Sequence, residues 1–252
     1  MTAKGKERQS AILNYITTNG YASVTELADL LRVSESTIKR DLDVMDRENL
    51  VQRKHGGAFS GTGSVTPPYA YRAKAAKSEK FRIAKAACGL LEEGDALFID
   101  AGSTTFAFYQ QIAVPKVTVF TNSLSILTAP NPHVAHVYAL EGEAYIKSML
   151  LRGALCVENL DRIHPDKVFI SSIGLSPDYW ILDKHDVGCA FTRRLLQMPS
   201  RKIILLDSTK FTASGTFRSA PIELVDTMIT NSEVSQTDAD AIRSRGVELI
   251  IA

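Results

Sequence analysis

Between Val24 and Leu50 two short amphipathic runs are separated by only Arg32 and Val33, and so tight a turn leaves two helices few ways to pack. In the first run, VTELADLL (24–31), Leu27, Leu30 and Leu31 are expected to face inward, with Ser23 or Thr25 as the cap. The second begins at Ser34, whose hydroxyl can accept from the open amides of a first helical turn, and Ile38, Leu42 and Met45 then recur as one buried stripe. Its other face presents Glu35, Ser36, Lys39, Arg40 and Asp43. Short hydroxyls followed by two long cations suit a groove in nucleic acid, and the two runs together make a helix-turn-helix. After Leu50 the run VQRKHGGAF predicts a small hairpin, a wing, whose Arg53, Lys54 and His55 reach phosphate. The expected DNA-contacting set is therefore Ser34, Ser36, Thr37, Lys39, Arg40, Arg53, Lys54 and His55. Arg40 is the first candidate for a base edge, because arginine to guanine is the commonest specific contact. A bland alternative is a helix-turn-helix that mediates only protein contacts; the hydroxyl-and-cation face argues against it.

Composition bounds the rest. The chain has 252 residues, 45% hydrophobic and 23% charged, which is ordinary for a globular protein and more than one small domain needs. A net charge of +1 argues against a protein that coats nucleic acid nonspecifically, so any cations that meet DNA are local. Residues 1–57 carry nine Lys or Arg against eight Asp or Glu, with Asp41, Asp46 and Glu48 expected to turn away from the Lys39 and Arg40 face. Cys88, Cys156 and Cys189 have no metal-ligand spacing and suit a reducing cytoplasm. No apolar stretch approaches the roughly 18 residues of a membrane span, and no leader-like start is present, so a soluble, cytoplasmic protein without metal or cofactor is expected. The domains read as 1–59, a winged helix-turn-helix; 60–72, a linker rich in Gly, Ser and Pro; and 73–252. Behind the linker, Arg72, Lys74, Lys77, Lys80, Arg82 and Lys85 read as a solvated helix face, or else as a face lying against DNA backbone.

From Gly94 strands alternate with helices, which predicts an α/β domain with a mostly parallel sheet covered on both faces. Ligands bind such sheets at the carboxyl ends of the strands, and each predicted strand runs there into a polar loop. In DAGSTT, Asp100 ends a strand, Gly102 lets backbone approach, and Ser103, Thr104 and Thr105 stand at a helix N-terminus that favours an anion. The same residues serve equally as a helix cap and turn closure. Further loops carry Thr121 and Asn122; Glu141, Gly142 and Glu143; Ser171, Ser172 and Gly174; and Asp207, Ser208, Thr209 and Lys210. Each alone is ordinary turn chemistry, and their convergence is what suggests a pocket.

These motifs resemble the DeoR/GlpR family of bacterial sugar-catabolism regulators. The resemblance rests on a first helix with Arg8, Ile12, Leu13 and Ile16, on SVTELADLLRVSESTIKRDL, and on a basic HGG. It extends through a D-x-G-[ST]-T loop (Asp100, Gly102, Ser103, Thr104), a T-N pair (Thr121, Asn122), a G-G-E loop (Gly142, Glu143) and a D-x-S-K-F run (Asp207, Lys210, Phe211). It implies an effector domain of the sugar-phosphate isomerase and CoA-transferase type, whose pocket takes a phosphorylated sugar or related metabolite. It also implies repression of a carbohydrate operon relieved by that sugar, and a homodimer or homotetramer on double-stranded operator DNA. The chain departs from the family pattern at Glu141, at Ser171 and Ser172, and at Cys189, where a glutamate is common. The alternative of another class is an isomerase or deaminase fused to a DNA-binding module, with Asp100, Glu143, Asp207 and Lys210 as acid and base groups.

Overall fold

The computed structural model describes residues 3–48, 50–54, 56–60, 69–211 and 215–252. The chain divides into two units, Met1–Pro68 and Tyr69–Ala252. The expected linker, 60–72, is shorter in the structure at its far end, because a helix already begins at Tyr69; Pro67 and Pro68 lie outside the described residues.

The first unit contains α1 (Ala3–Asn19), β1 (Tyr21–Ser23), α2 (Val24–Leu31), α3 (Glu35–Arg47), β2 (Val51–Lys54) and β3 (Gly57–Ser60). Ser23 caps α2 in a capping box, its hydroxyl accepting from the Glu26 amide at 3.1 Å while the Glu26 carboxylate accepts from the Ser23 amide at 3.4 Å. Arg32 then takes a left-handed conformation, φ 51°, which ends α2 and leaves Val33 to lead into Ser34. Ser34 caps α3 by accepting from the Thr37 amide at 3.3 Å. Ile12, Ile16, Leu27, Ile38, Leu42 and Met45 are fully buried in one core. Leu30 is a correction: it is 52% exposed, while Val24 and Ala28 take the inward places. At roughly 100° per residue, Val24, Leu27, Ala28 and Leu31 form one stripe and Leu30 falls well outside it.

Beneath the helices, β1, β3 and β2 form an antiparallel sheet in that order. The strand β1 is too short to show alternation and is not legible in the sequence. Gly57 is required where β3 meets it, since a Cβ there would stand 2.3 Å from the Ala22 carbonyl oxygen. Arg8 reaches from α1 to the buried Asp41 of α3 with two hydrogen bonds, the second at 3.1 Å, so this acid is structural.

The second unit opens with α4 (Tyr69–Lys74) and α5 (Lys77–Cys88), and continues β4 (Ala96–Ile99), α6 (Ser103–Gln111), β5 (Val117–Thr121), α7 (Leu124–Leu127) and β6 (Val134–Ala139). A hairpin of β7 (Glu143–Tyr145) and β8 (Leu150–Arg152) follows, then α8 (Ala154–Asn159), β9 (Lys167–Ile170), β10 (Gly174–Leu175), β11 (Trp180–Asp183) and α9 (Asp186–Leu196). The unit closes with β12 (Arg201–Leu205), β13 (Phe217–Pro221), β14 (Thr227–Thr230), α10 (Gln236–Ser244) and β15 (Glu248–Ile251).

Seven strands form one parallel sheet in the order β15-β14-β12-β9-β4-β5-β6. Its strands alternate between two cores. Phe98, Val168, Ile170, Ile204 and Met228 pack with α8, α9 and α10, while Leu97, Ile99, Phe169, Ile203, Leu205 and Ile229 pack with α5, α6 and α7. Both faces are covered over the inner strands β4, β9, β12 and β14, which is why these are near-continuous apolar runs. From β4 the chain winds outward through β5 and β6, then returns to place β9 on the other side of β4. The strand order therefore reverses between β4 and β9, the point at which open parallel sheets bind ligands in a crevice at the carboxyl ends.

Two expected strands are shorter than their apolar runs. Residues 167–176 break at Ser171 and Ser172 into β9 and β10, because the Ser172 hydroxyl donates to the Leu182 carbonyl at 2.7 Å and draws the chain into the antiparallel sheet β10-β11-β13. Likewise β6 stops at Ala139, and Glu143 begins the separate β7–β8 hairpin.

At the opposite end of the sheet the Lys167 ammonium donates to both Asp95 carboxylate oxygens at 2.7 Å, with both side chains about nine-tenths buried. Removing one partner strands a buried charge. We expect Lys167→Met to destabilise the unit by about 3–5 kcal/mol, with much of the loss recovered in Lys167→Met/Asp95→Leu. The measurement is denaturant unfolding followed by fluorescence of the single tryptophan, Trp180, which reports this unit alone.

Candidate functional site: a nucleic-acid face and a loop cluster

The exposed face of α3 carries Glu35, Ser36, Lys39, Arg40 and Asp43, as the helical period requires. The Ser34 hydroxyl lies 2.9 Å from those of both Ser36 and Thr37, so three hydroxyls gather at the helix N-terminus. Charge on this face is internally matched. Lys39 meets Glu35 at 3.3 Å, and Glu35 is held below the usual carboxylate range first by the Thr25 hydroxyl and then by Lys39. Arg53 of the wing is paired with Asp43, and its amide donates to Asp46 at 2.8 Å. Of the acids expected to turn away, Asp41 and Asp46 have structural partners, and Glu35 and Asp43 share the cationic face as expected. Among the described residues Arg40 has no ion-pair or hydrogen-bond partner. His55 and the Lys54 side chain lie outside the described residues.

In the second unit the crevice is built from the loops after β4, β5, β9 and β12. Asp100 follows β4, its amide donating to the Phe169 carbonyl at 2.9 Å and so extending the β4–β9 pairing to the crevice rim. Burial raises its carboxyl to about 7 against the lowering influence of the neighbouring Asn122 side chain and Ala101 amide, with Asp183 adding to the rise. The Asn122 side-chain oxygen in turn accepts from the Ala101 amide at 2.8 Å. Gly102 stands against Ser171 of the β9 loop, where a Cβ would lie 3.2 Å from that of Ser171, so the two sides of the crevice touch.

No side chain caps α6, whose N-cap is Gly102. Ser103 and Thr104 thus do not serve as the cap that the local pattern allowed, and among the described residues neither hydroxyl has a protein partner. Open amides and two hydroxyls at a helix N-terminus are an anion-accepting arrangement. On the adjoining loop Asp207 is buried, takes the Thr209 hydroxyl, and accepts the Lys210 amide on its carbonyl at 3.0 Å.

Several expected site residues have other work. The fully buried Thr105 donates to the Asp100 carbonyl at 2.6 Å, and the fully buried Thr121 donates to the Ile99 carbonyl at 2.6 Å, so both shape loops instead of reaching a ligand. Gly142 is needed for packing, because a Cβ there would fall 2.5 Å from the Cys156 sulfur. Glu143 is exposed on β7, accepting from the Tyr145 hydroxyl at 3.0 Å, and Gly174 is paired with Leu182 in β10. Cys189 is buried and accepts from the Ser219 hydroxyl at 3.1 Å.

Sequence reasoning missed Arg72 and Lys80. Arg72 is half-buried near Asp100, and Lys80 is 5% exposed and within electrostatic reach of Asp207 and Lys210. The reading of this basic run as a solvated or DNA-facing surface therefore fails for both. A signal was present for Lys80, which shares the inward stripe of α5 with Ile83, Ala84 and Ala87. Two surface recesses lie elsewhere, one lined by Tyr109, residues 126–132 and Val137, the other by residues around Phe81 and Arg82. The first has no charged lining, and in the second Arg82 is paired with Glu233 at 3.0 Å, so neither rivals the loop cluster in chemistry.

Comparison with known proteins agrees with this architecture. The DeoR C-terminal sensor domain matches residues 75–232 and the DeoR-like helix-turn-helix domain matches residues 8–62. The HTH-type transcriptional repressor GlcR of Bacillus subtilis (strain 168) is 28% identical over 248 residues, 98% of this chain and 96% of that protein. The transcriptional repressor AccR of Agrobacterium fabrum is 28% identical over 90% of each chain. The lactose phosphotransferase system repressor of Lactococcus lactis is 28% identical over 91% of this chain and 92% of its own. Among solved structures, a D-ribose-5-phosphate isomerase in complex with phospho-erythronic acid covers 54% of each chain with a TM-score of 0.38 and 14% identity. With the sensor-domain match spanning more than half of its length and the helix-turn-helix match most of the remainder, the chain belongs to the DeoR family of helix-turn-helix transcriptional regulators.

Proposed function

We propose that this regulator is a repressor of a carbohydrate operon, that it reads operator DNA through α3 and the wing, and that a phosphorylated sugar in the β4–β9 crevice releases it. The observation that carries the effector half is the uncapped N-terminus of α6, with the Ser103 and Thr104 hydroxyls beside Asp100. Phosphate suits the amides and hydroxyls, and carboxylates suit sugar hydroxyls because each oxygen accepts. Asp100, Ser103, Thr104, Asn122, Ser171, Asp207 and Lys210 are the contacts in this reading. Ser34, Ser36, Thr37, Lys39, Arg40, Arg53, Lys54 and His55 meet the DNA. The protein acts in the cytoplasm as a homodimer or homotetramer joined through the sensor unit, since paired half-sites raise affinity. The names of the three relatives, each a repressor, support the direction of control. They also favour a pocket that binds its sugar without turning it over; steady conversion of any sugar phosphate would reverse that.

Release requires the sugar to prefer the DNA-incompetent arrangement, and a nearly complete switch needs a preference of about 10⁴-fold. In fluorescence anisotropy on DNA from its own and neighbouring promoters, one sugar phosphate of a panel is expected to dissociate the complex. Lys39→Ala/Arg40→Ala is expected to lower operator affinity at least ~10-fold and to flatten the salt dependence by about one to two phosphate contacts. Normal operator binding by that double variant would overturn the role of α3.

Burial of Asp100 has a pH signature. Its folded pKa of about 7 lies above its ordinary 3.8, so ionisation costs stability that is absent below the lower value, grows as pH rises between the two, and is complete above 7. Asp100→Asn is expected to melt higher than wild type at pH 8 and to lose that advantage as pH falls toward 5. An advantage independent of pH would show that Asp100 ionises freely.

A further inference from the structure

Resting on that reading of the crevice as a sugar-phosphate site, we infer that Arg72 of α4 supplies the guanidinium that grips the effector phosphate, with Lys80 as the residue that positions it. Arg72 lies within electrostatic reach of Asp100, and its Nη2 donates to the Ser148 carbonyl at 3.5 Å in the turn between β7 and β8. Its guanidinium carbon sits 5.7 Å from the centre of the Tyr69 ring, and that ring meets Phe106 of α6 edge-on at 6.3 Å. The helix that carries Arg72 is thereby packed on the helix whose uncapped N-terminus faces the crevice. Lys80 holds α4 from below: its ammonium donates to the carbonyls of Arg72 and, at 2.6 Å, Ala75.

The charges around this point explain what the arrangement is for. Arg72, Lys80 and Lys210 stand among Asp100 and Asp207. Burial works against charge on both signs, lifting Asp100 to about 7 and lowering Lys80 to about 8. A phosphate monoester brings a charge of about −1.5 to −2 near neutral pH. Placed between α6 and Arg72, it compensates the cations that a half-protonated Asp100 does not. A guanidinium also offers a planar fork that matches two phosphate oxygens at once, which an ammonium cannot do. The ligand then holds α4, the first helix of the second unit.

The test uses the full chain with glucose 6-phosphate, fructose 6-phosphate, ribose 5-phosphate, inorganic phosphate and free glucose as probes, read by thermal shift and by calorimetric titration. Arg72→Met is expected to weaken the best sugar phosphate at least ~10-fold, Arg72→Lys to recover part of that loss, and Lys74→Ala, on the exposed side of the same helix, to bind as wild type does. Undiminished affinity in Arg72→Met overturns the assignment. If Trp180 fluorescence reports that variant unfolded, Arg72→Lys decides, because it keeps the charge and loses the fork; affinity equal to wild type overturns the assignment again. A wild-type protein that responds to none of the phosphates overturns the sugar-phosphate reading itself, and does so before any variant is made.

Discussion

The second unit depends on the reversal of strand order between β4 and β9. Parallel strands wound in one direction send successive connections to one face of a sheet. Where the winding turns back, neighbouring strands send theirs to opposite faces and leave a gap at the carboxyl ends. Here the gap is narrow: the Asp100 amide still bonds to the Phe169 carbonyl, and Gly102 touches Ser171. Backbone polar groups and side chains that cannot all be satisfied by the sheet are thus concentrated at one point. The open amides of α6 and the hydroxyls of Ser103 and Thr104 follow from that geometry.

Charge is handled in the same manner in both units. Lys39 is matched by Glu35 and Arg53 by Asp43 on the face offered to DNA, and Lys80 lies near Asp207 as Arg72 lies near Asp100 in the crevice. A cation held by a carboxylate is less available to a phosphate, so binding exchanges an internal pair for an external one. Exposed pairs such as Lys39 with Glu35 are weak, and exchange on that face is easy. The crevice is drier, and there burial itself shifts Asp100 and Lys80 toward their neutral forms.

The places where sequence reasoning strayed fall into two kinds. Leu30 is apolar, yet the helical period puts it off the buried stripe and it is exposed. Thr105 and Thr121 are the right residue type at the right loop, yet their hydroxyls close turns on the Asp100 and Ile99 carbonyls. Arg72 and Lys80 belong to a basic run that is solvated in most chains; Arg72 is drawn in on α4, which packs against α6, and Lys80 follows the buried stripe of α5. For Leu30 and Lys80 the helical period already held the answer, whereas Thr105, Thr121 and Arg72 end where partners in the folded chain place them.

By itself the sequence determined the helix-turn-helix, through a two-residue turn, a Ser34 cap and a 3.6-residue stripe, and it determined a mostly parallel sheet, through apolar runs bounded by polar loops. Both signals are local: a cap acts within one helical turn, and apolar runs report burial without naming the neighbour. Tertiary structure decided the antiparallel sheet β10-β11-β13, the break at Ser172, the hydrogen bonding of the loop hydroxyls, and the approach of Arg72 to Asp100. Those outcomes come from hydrogen bonds and electrostatic contacts between residues that only the folded chain brings together, and no local spacing encodes them.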